Sequence, residues 1–179
     1  MMRGSEWKAM LRFLGVILMC EGGLMALCLV PAWHFADGTL ATMAACAAFT
    51  LAVGCLLWLS FRKYRQIENS RMAYLLVTLL WLTLSLFATL PFLATGATSR
   101  FTHAWFEAMS GVSSTGATVF PHVRLLPSSV LLWRSMTQWF GGFGIVFLVL
   151  ALSPRLGINK YALYTAEASG ADNNANCLV

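Results

Sequence analysis

The sequence predicts an all-α membrane protein with about four transmembrane helices, and one shorter re-entrant helix with a polar loop before the last of them. The first observation is composition. Of the 179 residues, 59% are hydrophobic and only 11% are charged, whereas about 25% of the residues of soluble domains are charged. A soluble globular enzyme is therefore excluded. Disorder is excluded too, because disordered chains are poor in hydrophobic residues.

The second observation is the length of the apolar runs, since a transmembrane helix needs about 20 apolar residues. Glu21 is the single charge in the first run, and the other three runs contain none. The first run is longer than the apolar core of a signal peptide and lacks an obvious cleavage site, so we expect an uncleaved helix. We expect Pro91 to kink or end the third helix. The runs are residues 13–33, 39–61, 72–93 and 135–152.

The positive charges predict the topology. Nine of the 12 Lys and Arg lie in the N-terminus, in the loop 62–71 and in the tail after residue 153. These segments share one side of the membrane if there are four spans, so both termini are predicted to be cytoplasmic and the short helix to enter from outside. The basic residues form no stripe, so we expect no nucleic-acid partner. The five cysteines include no CxxC pair, which argues against a disulfide framework.

The segment before the last run is too polar and too broken to span. Residues 101–112 have the period of an amphipathic helix, with Gly111 expected to end it. Its length covers about half a bilayer. The residues placed on its apolar side are Ala104, Trp105, Ala108, Met109 and Val112. Residues 113–118, Ser-Ser-Thr-Gly-Ala-Thr, follow without hydrophobic period.

Non-helical backbone at membrane depth needs a reason, because it is tolerated only inside protein or beside a water-filled path. Cation coordination fits: the carbonyl end of the short helix favours a cation, and the backbone carbonyls of residues 114–117 can replace its hydration shell. Gly116 allows a dihedral that other residues tolerate poorly. We expect Glu107 to support this loop rather than to attract cations, and Arg134 to snorkel to the outer interface.

Other polar or small residues have structural interpretations. Glu21 is interpreted as a packing residue beside two glycines, although intramembrane acids are functional candidates. His103 and His122 are interpreted as solvated residues rather than ligands. The glycines at 141, 142 and 144 either bend the fourth helix or allow close packing, and the sequence leaves both open.

Several motifs resemble one family closely. They are Phe106-Glu-Ala-Met-Ser-Gly-Val-Ser-Ser-Thr-Gly-Ala-Thr118, Leu132-Trp-Arg134, Gln138-Trp-Phe-Gly-Gly-Phe-Gly-Ile145 and Leu163-Tyr-Thr-Ala-Glu167. Together they resemble the Trk/Ktr/HKT potassium transporters, TrkH branch, over residues 1–170. The resemblance implies a potassium uptake subunit of the bacterial inner membrane, built from four span–pore-helix–span repeats around one pore, with two helices ahead of them.

The resemblance assigns Ser114, Thr115, Gly116 and Ala117 to the first selectivity filter, with K⁺ at Thr115 and Gly116. Supporting roles fall to Glu107, Gly111 and Thr118. A family-typical stretch is Thr-Thr-Thr-Gly-Ala-Thr, and the two serines here leave the backbone role intact. Besides K⁺ as the transported ion, no cofactor is expected. The implied partners are the lipid bilayer, a second protomer in a homodimer and a cytosolic nucleotide-binding regulatory subunit.

The predicted organisation is a two-helix extension in residues 1–65, the first repeat in residues 66–165 and a short polar tail in residues 166–179. Family chains are several hundred residues long, so we interpret this chain as an N-terminal fragment with a truncated tail. The alternatives are a homotetrameric cation channel with one repeat per chain, and an inactive remnant or interaction protein. An intramembrane enzyme using Ser113 or Ser114 is disfavoured, because no spanning His or Asp accompanies them.

Overall fold

The computed structural model describes residues 4–64 and 70–152, and within these ranges the regular structure is helical. The chain therefore has the all-α class that its composition predicts. A 3₁₀ turn, Val123–Leu125, lies between the last two α-helices. The α-helices are α1 (Gly4–Leu27), α2 (Leu29–His34), α3 (Leu40–Phe61), α4 (Ser70–Ala94), α5 (Phe101–Val112) and α6 (Ser128–Leu152).

Proline placement explains where two helices depart from the predicted runs. The first run is divided at Cys28 into α1 and α2. Pro31 has no amide hydrogen to donate, and it lies in the first turn of α2, where that hydrogen is not needed. Helix α4 continues past Pro91 and ends three residues later, at Ala94. The amide of Thr95 still donates to the Pro91 carbonyl at 3.1 Å, so Pro91 belongs to the final turn.

Helix α6 begins seven residues before the predicted run. It starts at Ser128, directly after Pro127, and therefore includes Trp133 and Arg134. The polar pair Arg134 and Ser135, where the predicted run begins, does not interrupt the helix. This matters for the site, because it puts a basic side chain on the helix rather than in a loop.

Three helical stretches in the described part of the chain are long and apolar enough to cross a membrane. They are Glu6–His34, Leu40–Phe61 and Tyr74–Ala94, and they correspond to the first three predicted runs. Membrane crossing by the fourth run, at the end of α6, stays a prediction. The tail from residue 153 lies outside the described residues, as do Cys177 and the basic residues Arg155 and Lys160.

The chain divides into two compact units, residues 1–142 and 143–179. Of the second unit, the structure describes the last ten residues of α6. In the first unit, α1 and α3 approach closely at glycines. A Cβ atom built on Gly15 would lie 2.8 Å from the Gly54 carbonyl oxygen, and one on Gly54 would lie 2.8 Å from the Met19 nitrogen. Small residues permit this kind of backbone approach between membrane helices.

The core of the first unit brings α1, α3, α4, α5 and α6 together. Phe92 of α4 and Trp133 of α6 are its largest fully buried aromatic side chains. Glu21 is buried as well, and neither carboxylate oxygen has a hydrogen-bond partner within the described residues. Its interpretation as a packing residue stays a prediction.

The buried side of α5 differs from the predicted one. Helix bounds of Phe101–Val112 match the prediction, and Ala104, Ala108 and Val112 are buried as expected. Met109, however, was predicted to be on the buried side and is 37% exposed, whereas Glu107 was not predicted there and is buried. Hydrophobic periodicity misplaces this face, because close contact with α6 requires small residues and one charged side chain rather than large apolar ones.

Candidate ion-binding site

The loop after α5 folds back on the last turn of that helix. The amides of Thr115 and Gly116 both donate to the Ser110 carbonyl, at 3.0 and 3.4 Å, and the amide of Ser114 donates to the Gly111 carbonyl at 2.8 Å. These bonds satisfy helix-end carbonyls that otherwise lack partners. Gly111 lies inside α5, one residue before its end, so the expectation that it terminates the helix is wrong.

The amide directions determine where two carbonyls point. A trans peptide holds its N–H and C=O groups on opposite sides of one plane, and the described residues include no cis peptide. The amides of Thr115 and Gly116 point at Ser110, so the carbonyls of Ser114 and Thr115 point away from the end of α5. Residues 114–118 are exposed in this chain. Two adjacent carbonyls are thus presented to the space beyond the loop.

Two residues of the loop have left-handed backbone conformations. Gly116 has φ = +75°, the kind of dihedral that the sequence predicted for it. Ser114 has φ = +57°, which is uncommon for a residue with a Cβ atom. Its hydroxyl donates to the Gln138 carbonyl at 3.0 Å, so α6 holds the strained residue. This role of Ser114 was not predicted, because no local sequence pattern indicates it.

A buried ion pair supports the loop at two points. Glu107, 1% exposed, pairs through Oε1 with Nε of Arg134. Its Oε2 accepts the Val119 amide at 3.0 Å, and Nη2 of Arg134 donates to the Gly116 carbonyl at 3.4 Å. The supporting geometry expected for Glu107 is present. The guanidinium of Arg134 turns to Glu107, whose carboxylate compensates its charge. The expectation that Arg134 snorkels to the outer interface stays a prediction.

Side-chain hydroxyls fix the end of the loop. Ser110 Oγ donates to the Ala117 carbonyl at 2.7 Å, and the Thr118 hydroxyl accepts the Phe120 amide at 3.1 Å. The carbonyls of Gly116 and Ala117 therefore each accept one hydrogen bond already. Each keeps a second lone pair, whereas the carbonyls of Ser114 and Thr115 are turned outward.

Glycines let α6 approach the end of α5. A Cβ atom on Gly111 would lie 2.3 Å from Thr137 Oγ1, and one on Gly141 would lie 1.9 Å from the Val112 carbonyl oxygen. Both distances are far shorter than a van der Waals contact. Of the two interpretations of the glycine motif, close packing therefore applies to Gly141, and α6 continues as one helix through it.

The described residues contain no cluster of three His, Cys, Asp or Glu side chains that could hold a metal ion. His122 is exposed and His103 is half-buried on α5. The loop offers backbone carbonyl oxygens and the hydroxyls of Ser113 and Thr115, which lie 2.8 Å apart. Oxygen atoms are hard donors suited to an alkali cation.

The comparisons with known proteins agree with one another. Residues 39–174 match the family model TrkH, described as a cation transport protein. The chain is 38% identical to the Trk system potassium uptake protein TrkH of Halomonas elongata, over 91% of this chain and 34% of that protein. It is 34% identical to the protein of the same name from Escherichia coli K12, over 92% of this chain and 34% of that one.

A solved structure extends the agreement to three dimensions. The crystal structure of the potassium transporter TrkH from Vibrio parahaemolyticus superposes with a TM-score of 0.79 at 32% identity. It covers 90% of this chain, which covers 36% of that one. The chain thus spans about a third of the length of the relatives it matches. With one family model over most of its residues and this shared fold, the chain belongs to the TrkH cation transport proteins, a family of membrane transporters and not of enzymes.

Proposed function

We propose that this chain supplies the first pore repeat of a potassium uptake system in the bacterial inner membrane, with residues 114–117 as one quarter of its selectivity filter. The observation that carries the proposal is the pair of carbonyls of Ser114 and Thr115, turned away from α5 by the two amides bound to Ser110. Relatives named as potassium uptake proteins support K⁺ as the ion.

The mechanism follows from the loop's charges. A potassium ion gives up water and gains backbone carbonyls at the level of Thr115 and Gly116. The C-terminal end of α5 adds a partial negative charge from its macrodipole. Arg134 stands next to the Gly116 carbonyl, and its positive charge opposes cation entry. The carboxylate of Glu107 pairs with that charge, so the guanidinium can hold the loop without repelling the ion.

One repeat supplies one side of such a pore. The remaining sides come either from further repeats of a longer chain, as the family resemblance implies, or from other copies of this chain. We propose the former, with two transporter protomers and a cytosolic nucleotide-binding subunit as partners and with both chain termini on the cytoplasmic side. A homotetrameric channel is the alternative, and crosslinking in membranes that yields only monomers or dimers excludes it.

The test compares two glycines with the same backbone conformation. Gly116 and Gly96 have φ of +75° and +74°, but Gly96 lies in the loop between α4 and α5 and not in the loop that follows α5. Gly116→Ser and Gly96→Ser therefore impose similar strain at different places. Each variant is expressed in a potassium-uptake-deficient bacterium on limiting K⁺, in this chain and in a full-length TrkH relative at the matching positions.

We expect Gly116→Ser to abolish growth rescue and Gly96→Ser to retain it. Equal rescue by both variants at equal membrane expression contradicts the filter assignment. If wild type of this chain alone rescues growth, self-assembly into a pore is favoured. If it inserts but does not rescue, while the full-length relative does, transport requires the further repeats.

A further inference from the structure

The turn between α2 and α3 contacts the beginning of α6 through one carboxylate. Asp37 accepts the Ser129 amide on Oδ2 at 3.0 Å. Its Oδ1 accepts the Thr39 amide at 3.1 Å and the Thr39 hydroxyl at 2.7 Å. The hydroxyls of Thr39 and Ser129 lie 2.6 Å apart. These three residues, which we name the outer clasp, connect positions 92 residues apart in the sequence.

The outer clasp satisfies a requirement of α6. Ser129 is the second residue of that helix, and first-turn amides have no carbonyl partner within their own helix. A carboxylate is well suited to this place, because the helix macrodipole favours negative charge at the N-terminus. The side chains of Thr39 and Ser129 are buried, so the hydrogen bonds are shielded from competing water.

The backbone around Asp37 is arranged for this contact. Ala36 and Gly38 on either side have φ of +47° and +76°. Positive φ at an alanine is uncommon, and such residues persist where the surrounding structure determines them. Two residues of the turn thus have positive φ, and the Asp37 carboxylate between them contacts α6.

The same section of α6 carries the support of the filter. Arg134 follows Ser129 by five residues, about 7.5 Å along a helix. Between them, Trp133 is 1% exposed and its Nε1 donates to the Ala88 carbonyl of α4 at 3.0 Å. Arg134 then contacts Glu107 and the Gly116 carbonyl. The position of α6 along its own axis therefore sets where the guanidinium meets the loop.

We propose that Asp37 is a positioning residue for the filter: by capping α6 from the two-helix extension, it fixes the height at which Arg134 holds Gly116 and Glu107. The inference rests on the filter role proposed above. In this proposal, the N-terminal two-helix extension helps to position the filter of the pore repeat.

The test is amide hydrogen exchange of this chain in lipid nanodiscs, which needs no transport activity. The Val119 amide reports the filter support, because it is bonded to Glu107. Asp37→Asn removes the charge and one acceptor. Ser135→Ala is the matched control, since it removes an exposed hydroxyl of the same helix, bonded to the Leu131 carbonyl at 3.1 Å, and leaves the outer clasp in place.

We expect Asp37→Asn to speed exchange at Ser129 and at Val119 by about fivefold or more, the scale of losing a helix cap, with α3 unchanged and Ser135→Ala close to wild type. Faster exchange at Ser129 with Val119 unchanged overturns the proposal, and so does an equal effect of Ser135→Ala. If Asp37→Asn also loosens α3, Asp37→Glu decides: restored protection at Val119 supports the proposal, and unrestored protection with α3 intact overturns it.

A failure of this proposal is distinguishable from a failure of the filter assignment. The exchange measurement tests the mechanical link between the extension and the loop. The comparison of Gly116→Ser with Gly96→Ser tests whether the loop conducts ions. Either result can be positive without the other.

Discussion

Neutralising Glu107 is expected to expose the charge that now supports the filter. Glu107→Gln keeps the size of the side chain and removes its negative charge, so Arg134 stays beside the Gly116 carbonyl with its positive charge uncompensated. Over about 6 Å between the guanidinium and an ion beyond that carbonyl, Coulomb's law with an effective dielectric constant of about 20 gives about 3 kcal/mol of repulsion, or about 100-fold weaker ion binding.

The variant also costs stability. Removing one partner of a buried ion pair costs about 3–5 kcal/mol, and the lower end applies here because the Arg134 side chain keeps 17% of its exposure. Ion binding and stability are separated by adding Arg134→Gln, which removes both charges. The double variant is expected to recover much of the ion affinity lost in Glu107→Gln, because no unpaired cation remains next to the filter.

The assay is rubidium uptake by potassium-uptake-deficient cells as a function of external K⁺, with the substitutions made at the matching positions of a full-length TrkH relative and membrane expression matched. Glu107→Gln is expected to raise the half-maximal concentration by about 100-fold, and the double variant to lie between it and wild type. Wild-type affinity in Glu107→Gln refutes the electrostatic argument. A double variant worse than Glu107→Gln refutes the idea that the unpaired guanidinium is the cause.

Three further predictions concern packing and pH. Gly141→Ala puts a Cβ atom 1.9 Å from a backbone oxygen of α5, so we expect the free energy of unfolding to fall by at least about 1–3 kcal/mol in a thermal unfolding experiment. In the control Gly142→Ala, the Cβ atom lies 3.5 Å from its nearest neighbour, and we expect almost no change in that free energy. Gly54→Leu is expected to separate α1 from α3 and lower the melting temperature, while Gly23→Leu, with no atom within 4 Å, leaves it unchanged; equal effects contradict the close helix contact. Burial alone raises the pKa of Asp37, but hydrogen bonds from Thr39 and Ser129 outweigh it and hold the pKa below its ordinary value. The carboxylate therefore stabilises the fold above the unfolded pKa of about 4, and this contribution is lost as the pH falls through the lower folded pKa. The melting temperature of wild type is expected to exceed that of Asp37→Asn by less at about pH 3 than at about pH 5. A difference that stays constant over this range contradicts the lowered pKa.

The features that depend on local physics were predictable from the amino-acid sequence. Long uncharged runs must be helices in a membrane, because every backbone polar group needs an internal partner there. The half-length helix has the bounds Phe101–Val112 that its period predicts. Gly116 has the positive φ expected of it, since a glycine in a polar loop between helices is the residue that adopts this dihedral at least cost.

Which charged side chains form pairs depends on contacts between residues far apart in the sequence. Glu107 and Arg134 are 27 residues apart, and Asp37 and Ser129 are 92 apart. A signal for the first pair was available: Glu107 on the short helix is the only acidic residue between positions 69 and 166, and Arg134 is one of three arginines between positions 100 and 134. Their pairing could not be predicted, because it depends on the position of α6 along α5, which is set by the close contact between Gly141 and the end of α5. Sequence patterns gave the bounds of α5 but not its whole buried face, because that face and the relative position of two helices are set by contacts that only the folded chain contains.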